Sequence, residues 1–377
     1  MENKGYLLLA DGQLYEGVLR GAVQSAQGEA VFLTNVVGYM DTLTDPAYAG
    51  QIVVQTFPQI GNYGVVPLSE DAPAPALSGY VCRALCDTPS NFRCQGTLNA
   101  YLEEKGIPCL TGVDTRAITR HLRENGVMNA AILTEKPDNV DEAAAALRSL
   151  TIKVNLSAAS VQEVIPAAQE GKYHVVLWDL GAMGDTRQQL ESRGCAVSIV
   201  PAGIKAEQIM SLAPDGVVIS NGPGDPEDAE RIANEIRELC NRRVPVFGIG
   251  LGHQLLAISQ GAATVKLPCG HRGGNQPIED VKTGSCYITS QNHGYAVDRD
   301  ALPTDASLRF INRNDGTCEG IDYMNMPAFS VQFQPALTGG LTQTGGLTQA
   351  GNAAARVGTH FLFDRFIALM GGNKECR

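Results

Sequence analysis

Apolar positions along this chain follow two rhythms. Over residues 6–10, 29–34 and 51–57 they form short β-type runs punctuated by Gly, Asp and Pro, which predicts a β-rich N-terminal unit. Helical spacing then appears over 97–105, over 115–125 behind Asp114 as an N-cap, and over the alanine-rich stretch 138–150. Residues 151–171 keep no period and contain Ser157, Ser160 and Pro166. A linker is therefore predicted at 153–171, between domains at 1–152 and 172–377. From there the order becomes regular: strand 173–178, helix about 186–193, strand 196–200, helix 205–212, strand 216–220, helix 228–240, strand 244–249. Such alternation predicts an open, mostly parallel sheet with helices on both faces, and ligands bound beyond the carboxyl ends of its strands. The fold class expected is α/β, a β-rich α/β N-terminal domain followed by that sheet domain. Near the end, Phe361, Leu362, Phe366, Ile367, Leu369 and Met370 cover one broad face of a core helix.

The last strand runs into Gly248-Ile249-Gly250-Leu251-Gly252-His253-Gln254, a strand turning sharply into a helix. Such an elbow normally holds a reactive side chain on a strained backbone above the sheet edge. Gly250 occupies the tip and has no side chain to aim, so the strain is relieved and the nucleophile is absent. A second turn, Asn221-Gly222-Pro223-Gly224-Asp225-Pro226, also falls at a strand end, and the two turns together predict a shallow pocket of backbone N–H groups suited to an oxyanion.

Composition narrows the classes. With 44% apolar and 18% charged residues the chain is globular, and no run approaches the roughly 18 apolar residues of a membrane span, so no membrane partner is expected. Met1 to Gly5 carries an acid and precedes only a short apolar stretch, which is no secretory layout and predicts a cytoplasmic protein. A net charge of −11 without clustered Lys and Arg argues against nucleic acid. Ten cysteines show no paired C-x-x-C spacing, so buried reduced thiols and no metal site are expected. Cys82, Cys86 and Cys94 form the one local cluster, with no histidine nearby in sequence.

The Gly-Pro-Gly-Asp-Pro turn, the elbow and Gln291-Asn292-His293-Gly294-Tyr295 resemble a class I glutamine amidotransferase domain. Gly38-Tyr39, Thr44-Asp45-Pro46, Gly61-Asn62-Tyr63-Gly64, Asp114-Thr115-Arg116 and His271-Arg272-Gly273-Gly274-Asn275 narrow the resemblance to the carbamoyl-phosphate synthase small chain, over almost the whole length. That resemblance implies a subunit that hydrolyses glutamine with a Cys-His-Glu triad and passes ammonia to a large chain, for arginine and pyrimidine biosynthesis. It also implies no cofactor in this chain, with ATP and Mg on the large chain. By the same resemblance the triad positions fall at Gly250, Gln334 and Ala336, none of which can attack, shuttle a proton or orient an imidazole. Glutamine hydrolysis is therefore predicted to be lost.

A remnant of the substrate pocket is implied at Gly222, Gly224 and Leu251 for backbone contacts, and at Gln254, Asn292, Gly294 and Tyr295 for the amino-acid end of glutamine. Ala47 stands where the family commonly has a serine that contacts glutamine, and the stretch 181–186 lacks the basic residues usual there. After Pro335 a tandem repeat, 339–344 followed by 345–350, predicts a mobile insertion at about 338–356. The expected function is a small chain with a disabled glutaminase that docks a large chain supplied with free ammonia. The alternatives are a stand-alone glutamine-binding or sensing protein and a glutaminase with substituted machinery.

Overall fold

In a computed structural model, residues 3–66, 74–336 and 358–375 are described. They form two compact units, Met1–Val154 and Asn155–Arg377. In the first, seven strands close into a barrel in the order Lys4–Leu9, Leu14–Gly21, Pro108–Thr111, Gly79–Val81, Gln51–Gln55, Ala26–Leu33 and Met128–Leu133. Closure leaves no free edge, and the interior fills with Leu7, Leu9, Leu19, Ala30, Ile52, Val54 and Leu110. The helix Thr115–Asn125 starts where expected because the Asp114 side chain accepts from the N–H groups of Arg116 and Ala117.

The second unit is built on a nine-stranded sheet in the order Cys195–Val200, Tyr173–Trp178, Gly216–Ile219, Val246–Ile249, Ala328–Val331, Cys318–Tyr323, Ala306–Asn312, Thr264–Asp280, Cys286–Val297. The first five strands pair in parallel, and the remaining pairings are antiparallel. The alternating βα segments thus produce the parallel half, while the stretch after the elbow helix extends it as an antiparallel half. Alternate residues serve opposite faces. Val176 and Trp178 join one apolar cluster, Val175 and Leu177 the other. The helices Ala206–Ser211, Glu230–Asn241 and Leu251–Ser259 cover the first face, and Gly184–Glu191 with Phe361–Glu375 cover the second.

The expected linker needs correction. Residues 155–171 belong to the second unit: Leu156–Ala159 is a short helix, Ile165 exchanges backbone hydrogen bonds with Ile199, and the Ser160 hydroxyl donates to the Asp179 carbonyl at 2.6 Å. Backbone pairing to the edge strand holds this segment despite its lack of period. The tandem repeat lies outside the described residues. Among the described residues no helix is long and apolar enough to cross a membrane.

Candidate functional site at the strand-helix elbow

Gly250 joins the strand Val246–Ile249 to the helix Leu251–Ser259 with φ 58° and ψ −114°, a conformation that favours glycine. The turn is fixed from below: the Gly250 N–H donates to the Val331 carbonyl at 2.9 Å, and Gly252 N–H donates to Ser220 at 3.0 Å. Close approach demands the flanking glycine as well. A Cβ on Gly252 would sit 2.3 Å from the Ile219 carbonyl oxygen. At the tip, a Cβ on Gly250 would lie 2.9 Å from Cβ of Asn221 and 3.9 Å from the Gln332 carbonyl oxygen. The elbow geometry is therefore intact, and the groups nearest its tip are Asn221 and the backbone of Gln332. Both side-chain polar atoms of Asn221 and Nε2 of Gln332 are buried without a hydrogen-bond partner among the described residues.

Gln254 is buried on the first turns of the helix, where its Nε2 donates to the Tyr295 carbonyl at 2.7 Å and to Oε1 of Gln332 at 2.9 Å. These bonds tie Gln254, Tyr295 and Gln332 into one corner of the unit, on the helix that Leu251 opens. Asn292 lies across from Arg272 in the strand register, and a Cβ on Gly294 would be 3.3 Å from Arg272 Nη2. In the neighbouring turn Gly222 packs against the Leu180 backbone, and Gly224 has φ 98°. Gln334 is buried, and its backbone N–H donates to Ser290 at 2.9 Å. Ala336 sits within the apolar cluster that also holds Phe333 and Leu362. Ala47 belongs to the first unit, buried in the short turn Pro46–Tyr48, where its N–H is held by Asp45 at 2.9 Å.

Among the described residues, no cysteine occupies the elbow turn. His253 points into the core: it is 0% exposed, and its Nδ1 meets Ser330 Oγ at 2.8 Å. Burial pushes its pKa down to about 3. Because unfolded histidine titrates near 6.5, the stability contributed by neutral His253 is present above that pH and is lost as pH falls toward 3. Going from pH 7 to pH 5 should cost about 2 kcal/mol through this group alone. Chemical denaturation at the two pH values, repeated on His253→Leu, checks this, since the variant should lose that part of the pH slope.

Sequence reasoning overlooked Asn221 and Gln332 as elbow-facing amides, and the packing of His271 and His293 against Glu319. Asn221 stood beside a recognised glycine turn, which was the available signal. Gln332 and Glu319 gave none, because their neighbours come from distant strands.

Two family models match the chain: the carbamoyl-phosphate synthase small chain, CPSase domain, over residues 7–132, and the class-I glutamine amidotransferase over residues 177–349. A carbamoyl phosphate synthase small chain of Staphylococcus epidermidis is 42% identical over 377 residues, covering 100% of this chain and 98% of that protein. One from Fusobacterium nucleatum is 43% identical over 371 residues, covering 98% and 99%.

Proposed function

Because this chain belongs to the carbamoyl-phosphate synthase small chain family, we propose that it acts as a docking small subunit with a disabled glutaminase, supporting carbamoyl phosphate formation on a large chain from bicarbonate, ATP and free ammonia. The observation that carries this reading is the elbow tip itself, which keeps the geometry of a nucleophile turn while Gly250 offers no nucleophile. By the family resemblance, Gln334 and Ala336 take the places of the proton shuttle and its orienting carboxylate, and neither does that work. Substrate, ATP and Mg chemistry then belongs to the large chain.

Reconstitution of the full chain with a carbamoyl-phosphate synthase large chain tests the proposal. Carbamoyl phosphate should form from ammonium and not from glutamine. Comparable synthesis from glutamine would overturn the disabled-glutaminase reading, and failure to form a complex would overturn the docking role.

A second reading is favoured by the buried side-chain atoms Nδ2 and Oδ1 of Asn221 and Nε2 of Gln332, which have no hydrogen-bond partner among the described residues. Groups that neither the backbone nor other side chains satisfy are suited to a carboxamide or carboxylate ligand, so the pocket would bind glutamine without cleaving it. Calorimetric titration of the chain alone with L-glutamine distinguishes the two: a saturable heat without a large chain favours a binding or sensing role.

A further inference from the structure

In the antiparallel half of the second unit's sheet, the strands Thr264–Asp280, Cys286–Val297 and Cys318–Tyr323 bring His271, His293 and Glu319 into one buried cluster. His271 and His293 are direct cross-strand partners, with their rings edge to face at 4.9 Å. Nδ1 of His271 is 3.4 Å and Nε2 of His293 is 4.0 Å from Oε1 of Glu319, and the three ligand atoms lie within 4.8 Å of one another. Two ligands on a tetrahedral zinc ion, each at about 2.0–2.1 Å, stand about 3.3 Å apart, so modest rotation of these side chains would close the cluster on an ion.

The hydrogen bonds outside the cluster determine which ring atoms carry lone pairs. Nδ1 of His293 is 2.8 Å from the Tyr295 carbonyl oxygen, a pure acceptor, so the ring proton belongs on Nδ1. The ring is buried, which favours its neutral form with that one proton. Nε2 is then an acceptor, yet its neighbours are Oε1 of Gln291 at 3.1 Å and Oε1 of Glu319 at 4.0 Å, which are acceptors too. The Gln291 amide is held in that orientation because its Nε2 donates to Glu319 Oε2 at 3.0 Å and to Thr289 Oγ1 at 3.2 Å. His271 has the same outward arrangement: Nε2 faces Asp315 Oδ2 at 2.9 Å, which turns Nδ1 toward Glu319. Each imidazole thus directs its outer N–H to an oxygen acceptor and its inner nitrogen to a shared point, the arrangement found behind metal-ligating histidines.

We infer that His271 Nδ1, His293 Nε2 and the Glu319 carboxylate, with Gln291 Oε1 beside them, form a site for a divalent transition-metal ion, zinc by its ligand chemistry. Two imidazoles and one carboxylate are a common zinc donor set, and a dication satisfies converging acceptors that two amide donors, Asn312 Nδ2 at 3.2 Å from Glu319 Oε1 and Gln291 Nε2 at 3.0 Å from Oε2, meet only in part. The role is structural bracing. The Tyr295 carbonyl accepts from both His293 Nδ1 and Gln254 Nε2, and the Gln332 N–H donates to the Glu319 carbonyl at 2.9 Å. An ion held here would therefore fix the strand carrying Asn292, Gly294 and Tyr295 against the elbow helix.

A proton shared between His271 and Glu319 is the competing occupant, and metal binding separates the two. The full chain, stripped with a strong chelator and titrated with zinc alone, should take up one equivalent and melt at a higher temperature. Glu319→Gln and His271→Gln, which keep polarity, should each weaken zinc binding by more than the roughly 10-fold to 100-fold that loss of an outer-shell partner costs, with an unchanged circular dichroism spectrum. Cobalt(II) in place of zinc should show visible d–d bands without a thiolate charge-transfer band. Absence of zinc uptake at micromolar concentrations, wild-type affinity in both variants, or a thiolate band that places the ion on cysteines would each overturn the site.

Discussion

Purified chain incubated with L-glutamine is expected to release no glutamate above the uncatalysed background. The expected deficit relative to its active relatives is on the order of a millionfold, the loss measured when the catalytic unit of a comparable hydrolase is removed. The physical reason is that, among the described residues, the elbow holds no group that can form the thioester. Amide cleavage by this type of site needs a thiolate within about 3 Å of the carbonyl carbon, a base that takes and returns the proton, and an acceptor that orients the base. Gly250 supplies only backbone, Gln334 has no titration near neutral pH, and Ala336 has no polar side-chain atom. His253 does not substitute, because it is wholly buried and bonded to Ser330. Glutamate release at a rate typical of relatives, measured by a coupled glutamate assay, would rule this out and restore the alternative of substituted machinery.

Reinstalling the triad should be graded. Gly250→Cys alone places a side chain at φ 58°, with its Cβ only 2.9 Å from that of Asn221, so it should cost about 1–3 kcal/mol in strain and add little activity. Ala336→Glu alone buries a carboxylate among Phe333 and Leu362, and should destabilise further unless Gln334→His provides a partner. The triple variant should recover glutaminase well beyond the sum of the singles, because the three groups act as a unit. If it stays inert while folded, Ala47→Ser is the next change to add.

Where local chemistry settles the structure, the sequence was sufficient. The helix Thr115–Asn125 carries its own start signal in Asp114, and the buried strands Tyr173–Trp178 and Val246–Ile249 read as continuous apolar runs bounded by turns. The antiparallel half was not legible, because Thr264–Asp280 and Cys286–Val297 alternate poorly. Their pairing shifts register between Lys266 and His271, around Gly270 at φ 67°, and again between Gly273, at φ 111°, and Gln276. The barrel was hidden for another reason: Gly79–Val81 and Pro108–Thr111 are only three and four residues long, and their strand character comes from neighbours far along the chain. At the elbow, the glycines could be read because each has a steric reason to be there. The amides of Asn221 and Gln332 could not, since whether a polar side chain is left without a partner is decided by the packed structure.

Phe247→Ala should lower the stability of the second unit by about 3–5 kcal/mol, the largest single-residue effect expected outside the elbow glycines. Phe247 is fully buried one strand position before Gly248 and stacks on Phe329 with centroids 4.5 Å apart. It also meets Phe363 at 5.8 Å and Phe366 at 6.0 Å, so one side chain pins the helix Phe361–Glu375 to the sheet. Truncation removes the transfer free energy of a large ring and leaves a void between a helix and a strand that is held by pairings on both edges. The loss should exceed that of Phe247→Leu, which keeps most of the volume while giving up ring geometry worth about 0.5–1.5 kcal/mol per aromatic pair. Urea denaturation followed by the fluorescence of Trp178, the chain's one tryptophan, reports this unit, because Trp178 is buried in its sheet. A loss below 1 kcal/mol for Phe247→Ala would mean that the C-terminal helix is held by contacts other than this aromatic stack.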